Sequence, residues 1–311
     1  VTKQDKIDRL QKLEFTFGVE IECYAPAPRP DNQYDAATSR TAQAVQDLVP
    51  NITIRPEGYN HQTRTYWKVV PDGSLNSDHR NGVEIVSPIL KGEHGLEILS
   101  DVIRALRESG HRVDTSTGIH VHMGLGHAKI NHVKSFLKLY VRYEHVMDFM
   151  MGRSRRGNTN VYCRSHSNGG QKYYMDDMFG ALKRARNMTQ VAKAVQPSGS
   201  RYFKLNLHRW NQWGTLEIRH FGGSLNATKV TNWILLLDAM WRQAQVHTVV
   251  PVYSDVAKPA ESAYSFFKNT LSHEPELASY WHNKVRQMVK AERRRNSPTQ
   301  RRRRQQFGSS N

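Results

Sequence analysis

Two glutamates one residue apart, Glu20 and Glu22, stand in the run Phe17-Gly18-Val19-Glu20-Ile21-Glu22. Strand side chains switch faces at every residue, so Val19 and Ile21 point one way and both carboxylates the other, about 7 Å apart. An ordinary solvated strand face has the same look over so short a run. The pattern recurs, however, in Gly82-Val83-Glu84-Ile85-Val86, in Gly118-Ile119-His120-Val121-His122-Met123-Gly124 and in Thr215-Leu216-Glu217-Ile218-Arg219-His220. Each run sets aliphatic residues on one face and metal- or phosphate-competent groups on the other. If the four share a sheet, Glu20, Glu22, Glu84, His120, His122, Glu217 and Arg219 line one cavity.

Carboxylates crowded into a cavity repel, and one takes up a proton unless a cation sits between them. Mg²⁺ prefers oxygen ligands and leaves positions for phosphate oxygens, so this set suits the handling of a nucleotide. Pairing of the same glutamates with surface arginines is the plainer alternative. Two histidines on one strand face can also hold Zn²⁺, which makes a hydrolytic zinc centre a second reading. Glu217 and Arg219 either pair with each other or, with a metal on Glu217, leave the planar arginine fork to grip a phosphate. The run 201–208 adds Arg201, Lys204 and Asn206 as anion-binding groups. Neither G-x-x-x-x-G-K-[ST] nor G-x-G-x-x-G occurs, so a nucleotide is held by another device.

The elements that must position these residues follow from periodicity. Strands are expected near 15–23, 51–55, 65–70, 83–86, 118–124, 202–208 and 214–220. Helices are expected near 36–48, 92–109, 131–151, 175–195, 226–249, 257–271 and 274–295, with a polar arm or helix over 3–14. Pro26, Pro28 and Pro30 make a bend, and Pro71-Asp72-Gly73-Ser74 a turn. The Gly-, Ser-, Asn- and Arg-rich stretch 152–172 reads as a long loop of the kind used as a lid or binding element. Alternating strands interspersed with helices indicate an α+β fold with an antiparallel or mixed sheet.

Lys and Arg number 45 against 28 Asp and Glu among 311 residues, a net charge of +17. That surplus attracts polyanions. Much of it lies in Arg293-Arg294-Arg295 and Arg301 to Arg304, read as a disordered tail over 291–311 behind a catalytic domain over 1–290. The tail is a candidate tether to nucleic acid or another polyanion. Cys23 and Cys163, far apart in sequence, suit a reducing cytosol, and neither forms a metal-type pair. No apolar run approaches the roughly 18 residues of a spanning helix, and residues 1–13 lack the apolar core of a secretory signal. A cytoplasmic protein with no membrane partner is expected.

Taken in order, Phe17-Gly-Val-Glu-Ile-Glu22, Trp67-Lys-Val-Val-Pro-Asp-Gly-Ser-Leu75, Gly82-Val-Glu-Ile-Val-Ser-Pro88, Gly-x-His-x-His from Gly118 and Leu216-Glu-Ile-Arg219 resemble the amidoligase family. That family belongs with the glutamine synthetase and glutamate–cysteine ligase superfamily, and the resemblance runs from about residue 15 to 245. It implies a carboxylate–amine ligase on a curved, mainly antiparallel sheet that forms a funnel backed by helices. ATP and Mg²⁺, or Mn²⁺, would be its cofactors and an acyl phosphate its intermediate.

By position, the resemblance implies Glu20, His120 and Glu217 as ligands of a metal bridging the ATP phosphates. Glu22 and Glu84 match ligands of a metal nearer the acyl oxygen. Arg219 matches the arginine that stabilises the transferring phosphoryl group, and His122 lies beside the phosphates. Glu20, Glu22, Glu217 and Arg219 are thus the expected catalytic set. Arg219, His122, Arg201 and Lys204 are the expected nucleotide contacts, and Asp72, Ser74 and Asn206 the expected substrate contacts. The substrates are a small-molecule or peptide carboxylate and an amine, and a homo-oligomer is an expected assembly. The chain is shorter than glutamine synthetase and lacks its ammonia-site segments, so a glutamine product is not expected. A metal-dependent hydrolase on an anionic substrate and a non-catalytic nucleic-acid-binding protein on a ligase-like scaffold stand as alternatives. Against the latter, unpaired buried carboxylates cost stability with no return.

Overall fold

The four alternating runs are neighbouring strands of one sheet. The computed structural model describes residues 13–27, 36–75, 81–167, 172–246 and 258–295. Its strands are β1 (Thr16–Tyr24), β2 (Ile54–Pro56), β3 (Trp67–Pro71), β4 (Gly82–Val86), β5 (Gly118–Gly124), β6 (Leu205–Asn206) and β7 (Thr215–Gly222). Its helices are α1 (Ala37–Leu48), α2 (Gly92–Glu108), α3 (Ile130–Arg142), α4 (Glu144–Met150), α5 (Lys172–Arg184), α6 (Met188–Val195), α7 (Trp210–Trp213), α8 (Ala227–Val246), α9 (Pro259–Thr270) and α10 (Pro275–Arg295).

The strand order is β2-β3-β4-β1-β5-β7-β6. Only β2 and β3 pair in parallel; the other neighbours are antiparallel. This is the expected α+β class, with a mixed sheet backed by helices. Register does the rest. Facing residues of an antiparallel ladder share a sheet face, and here Glu22 faces Glu84, Glu20 faces His120, His122 faces Glu217 and Glu217 faces Asn206. The β5–β7 register shifts between Ile119 and Val121, a bulge of the kind that re-aims side chains beside functional sites.

The opposite face carries Val19, Ile21, Val83, Ile85, Ile119, Val121, Leu216 and Ile218, all buried. They belong to one apolar core with Leu99 and Ile103 of α2, Phe136 and Leu137 of α3, and Trp233 and Leu237 of α8. Burying a full aliphatic or aromatic side chain contributes about 1.5–3 kcal/mol, so this layer fixes the sheet and hence the spacing of its polar face.

Three expected elements differ. The helix over 131–151 breaks at Tyr143, whose φ of −102° and ψ of 14° leave the helical range. The break lets Glu144 and Asp148 of α4 reach Lys204. The helix over 175–195 divides where Asn187 accepts the Gln190 amide at 3.0 Å and caps α6. The strand over 202–208 shrinks to Leu205–Asn206. The arm over 3–12, Pro28, Pro30 and residues 296–311 of the tail lie outside the described residues. No helix among the described residues is long and apolar enough to cross a membrane.

Candidate functional site

The polar face of β4, β1, β5 and β7 gathers its carboxylates around one imidazole. His120 Nδ1 lies 2.9 Å from Glu20 Oε2 and 3.7 Å from Glu217 Oε1, and its Nε2 lies 3.4 Å from Glu22 Oε1. His122 Nε2 stands 3.1 Å from the other Glu20 oxygen. Two sets of ligand atoms are each close enough to hold a cation: Glu20, His120 and Glu217, and Glu22, Glu84 and His120. The first has the same members as the set the resemblance implied; the second adds His120 to the implied pair of Glu22 and Glu84.

Backbone and loops orient these groups. The Gly118 amide donates to Glu22 Oε2 at 2.6 Å, and Asn206 Nδ2 donates to Glu217 Oε2 at 2.6 Å. Gln196 in turn donates to Asn206 Oδ1 at 3.1 Å. Arg219 bonds the remaining Glu217 oxygen and donates from Nε to the Tyr162 carbonyl at 3.2 Å. Asp72 Oδ1 accepts both the amide and the hydroxyl of Ser74, closing the expected turn.

Electrostatics separates the carboxylates. Burial and then the charges of Glu20 and Glu22 push the Glu84 carboxyl well above the usual range. Burial also works against ionised Glu20, but His122 and His120 outweigh it and hold that carboxyl well below the usual range. For Glu217, Arg219 overcomes burial and lowers the carboxyl. His122 is desolvated too, yet Glu20 raises it to about 9. Burial first, and then the neighbouring carboxylates, thus keep a proton on Glu84 that a divalent cation would displace. An oxygen-rich donor set with one imidazole fits Mg²⁺ or Mn²⁺. His122 joins neither ligand set among the described residues, which weighs against a His-x-His zinc centre.

Two cavities meet at this face. One, of 710 Å³, runs past Lys68, Pro88, Ile89, Gln212 and Thr215. The other, of 490 Å³, contains Glu22, Asp72, Ser74, His120, Asn206, Glu217 and Arg219 together with Arg155, Asn160, Tyr162 and Arg201. Glu20, His61, Glu84, His122, Arg209 and Trp213 line both.

Every expected site residue but one therefore lines these cavities. The exception is Lys204, expected to contact the nucleotide. It is 0% exposed and turns to the helix side, 3.1 Å from Glu144 and 2.6 Å from Asp148. Regular pairing begins only at Leu205, so the alternation that would send Lys204 into the cavity does not hold there. His220, the other residue beside Arg219, also points away from the cavity and bonds Asp148 at 2.6 Å and Tyr140 at 2.7 Å.

Sequence reasoning missed the loop residues. Residues 57–66 bring Tyr59, Asn60 and His61 to the cavities. Glu57 ties the loop to itself through Arg64 at 3.0 Å and Tyr66 at 2.7 Å. Buried Lys68 donates to the Asn60 carbonyl at 3.0 Å, to Asn60 Oδ1 at 2.8 Å and to the Gln62 carbonyl at 2.9 Å. The described part of the loop over 152–172 contributes Arg155, Asn160 and Tyr162. Both cysteines are free and buried, and burial pushes their thiols up.

A bifunctional glutathione synthetase from Pasteurella multocida is similar in structure, with a TM-score of 0.45 and 12% identity over 92% of this chain. This chain spans about half of that protein, 48% of its length. No curated protein matches. A family model described as "Putative amidoligase enzyme" matches residues 13–241, the span that holds the seven strands and the two ligand sets found among the described residues. The chain belongs to this amidoligase family.

Proposed function

We propose that the protein is an ATP- and Mg²⁺-dependent carboxylate–amine ligase built on the funnel of the glutamine synthetase superfamily. The observation that carries this reading is the pair of ligand sets sharing His120 where two cavities meet, with Arg219 on the same face. The cavity bounded by Pro88, Ile89, Trp213 and His61 suits a nucleoside, since Ile89 exposes 66% of its surface there. The arginine-rich cavity suits the acid and the amine.

A carboxylate is a poor partner for an amine because its leaving group would be oxide. Attack of the carboxylate on the γ-phosphoryl group of ATP releases ADP and leaves an acyl phosphate; attack of the amine then expels phosphate and forms the amide. Mg²⁺, when bound by Glu20, His120 and Glu217 and by Glu22, Glu84 and His120, supplies positive charge to the phosphate and carboxylate oxygens. Arg219, anchored by Glu217 and the Tyr162 carbonyl, offsets the charge developing on the transferring group. Asn206 fixes Glu217, and His122, which lines both cavities and retains its proton near neutral pH, would offer positive charge to the phosphates. The loop over 152–167 and the stitched loop over 57–66 wall the cavities and limit access of water to the acyl phosphate.

The test is ADP formation from Mg-ATP across a panel of acids and amines, with Glu20→Ala and Arg219→Ala alongside. Turnover requiring both an acid and an amine, and reduced by a factor on the order of 10²–10³ in Arg219→Ala, is expected. Failure to bind ATP, with Zn²⁺ retained through His120 and His122, would overturn the ligase reading in favour of a hydrolase.

A further inference from the structure

The described part of the loop over 152–167 brings a buried cation to the cavity. Arg155 closes a short 3₁₀ turn (Arg153–Arg155) and is only 3% exposed. Its side chain has a groove made for it. Gly118 and Gly222 are partners across the β5–β7 ladder, and neither carries a Cβ. The Arg155 stem lies across Gly222, with Cγ 3.7 Å from where a Cβ would stand. Its guanidinium lies over Gly118, with Nη2 only 2.7 Å from the corresponding position, closer than any real Cβ contact. Nη2 is held by the Thr117 and Ser116 carbonyls at 2.6 and 3.1 Å.

This cation lacks a carboxylate within ion-pairing distance among the described residues, and its Nε is buried with no partner. Glu22 faces the same Gly118 position but is engaged by the Gly118 amide and belongs to a ligand set. A buried unpaired charge is costly unless a counter-ion arrives. Arg201 stands in the same cavity, its guanidinium 5.3 Å over the Tyr202 ring, likewise without an ion-pair partner among the described residues.

We propose that Arg155 is a specificity-determining residue that binds a second carboxylate, one that does not react, on a substrate of this site. This deepens the ligase reading above and rests on it for which carboxylate reacts, but the binding claim can be tested without turnover. The second carboxylate belongs either to a dicarboxylic acid or to an amino-acid amine; the four arginines of this cavity, Arg155, Arg201, Arg209 and Arg219, favour the dianionic acid over the zwitterionic amine.

Calorimetric titration in the presence of Mg²⁺ tests it on the full chain. The probes are α,ω-dicarboxylates from malonate to adipate, each beside the monocarboxylate of equal length, and glycine beside methylamine. At least one dicarboxylate should bind tenfold or more tightly than its monocarboxylate. Arg155→Gln should reduce that ratio below about threefold, with Arg155→Lys intermediate. Gly118→Ala, which leaves Arg155 in the sequence but fills its groove, should reduce it as well. Circular dichroism and thermal unfolding of each variant show that it is folded. A preference confined to glycine over methylamine would move the carboxylate to the amine and overturn the assignment to the acid. Equal binding of the paired acids, no binding of either class, or a ratio unchanged in Arg155→Gln would overturn the proposal. ATP binding is read separately: dicarboxylate binding that depends on Arg155 in a protein that does not bind Mg-ATP would sink the ligase reading and leave this one standing.

Discussion

Glu84 is held against its own preference. Burial and its two neighbours Glu20 and Glu22 all disfavour its ionised form, so near neutral pH the metal-free protein must take up a proton there on folding, a cost that a bound cation would remove. Glu84→Gln should therefore raise the melting temperature of chelator-treated protein by about 2 °C or more, the shift for a change on the order of 1 kcal/mol in a chain of this size. The same substitution should shrink the melting-temperature gain on adding Mg²⁺. A fall in the metal-free melting temperature would mean that Glu84 is already satisfied. This part of the site was legible because alternation is local: Glu20, Glu22, Glu84, His120 and Glu217 announce their shared face with a period of two. Arg155, His61 and Arg209 were not, since loops place them and no short-range period encodes where a loop lands. The glycines at the ends of β5 and β7 were the available signal, because a strand glycine often marks close approach of another group.

At the scale of elements, the link between β6, α4 and the loop over 152–167 is a buried polar cluster. Lys204 sits between Glu144 and Asp148, Gly157 donates to Asp148 Oδ2 at 2.8 Å, and Glu144 accepts the His166 amide at 3.0 Å. Lys204→Met leaves two buried carboxylates without their cation and should cost about 3–5 kcal/mol in urea unfolding. A cost under about 1 kcal/mol would show that His220 and the loop amides suffice. His166 adds a pH dependence. It donates from Nδ1 to the Val195 carbonyl at 3.2 Å and accepts the Leu205 amide on Nε2 at 3.0 Å. Burial is the main cause of its low pKa of about 4. The folded state thus binds a proton less readily than the unfolded state, whose imidazole titrates near 6.5. Stability is full above about pH 6.5 and falls by about 3 kcal/mol toward pH 4. His166→Gln should flatten that acid limb in unfolding curves taken across this range; an unchanged limb would assign it to other groups, His111 first among them.

The helices with uninterrupted 3.6-residue periodicity were predictable to within a residue at both ends of α2 and at the start of α8, whose expected last residues, 247–249, lie outside the described residues. The break at Tyr143 was not, because the apolar period of α3 runs on through α4 while the chain turns to deliver Glu144 and Asp148 to Lys204. The short β6 was misjudged for the same reason: alternation describes a strand only while pairing lasts, and a buried lysine ended it.

Across the whole molecule, the surplus of +17 has its densest run in the arginines beyond α10. Deleting residues 296–311 should lower the affinity for single-stranded nucleic acid. It should also reduce the slope of log affinity against log salt by up to about 3, since four arginines, Arg301 to Arg304, no longer displace counterions at roughly 0.7 each. An affinity unchanged at two salt concentrations would remove the tail from that role.

The loop over 57–66, stitched through Glu57 and Lys68 into itself, has a kinetic consequence. A wall tied down by so many internal bonds stays in place, and the two cavities that it lines offer the reactants separate seats. On the ligase reading, a nucleotide and an acid seated in different cavities do not displace each other. ADP should then inhibit competitively against ATP alone, and the amide competitively against the acid alone. Steady-state inhibition patterns would thus assign each reactant its own cavity without a ligand in view.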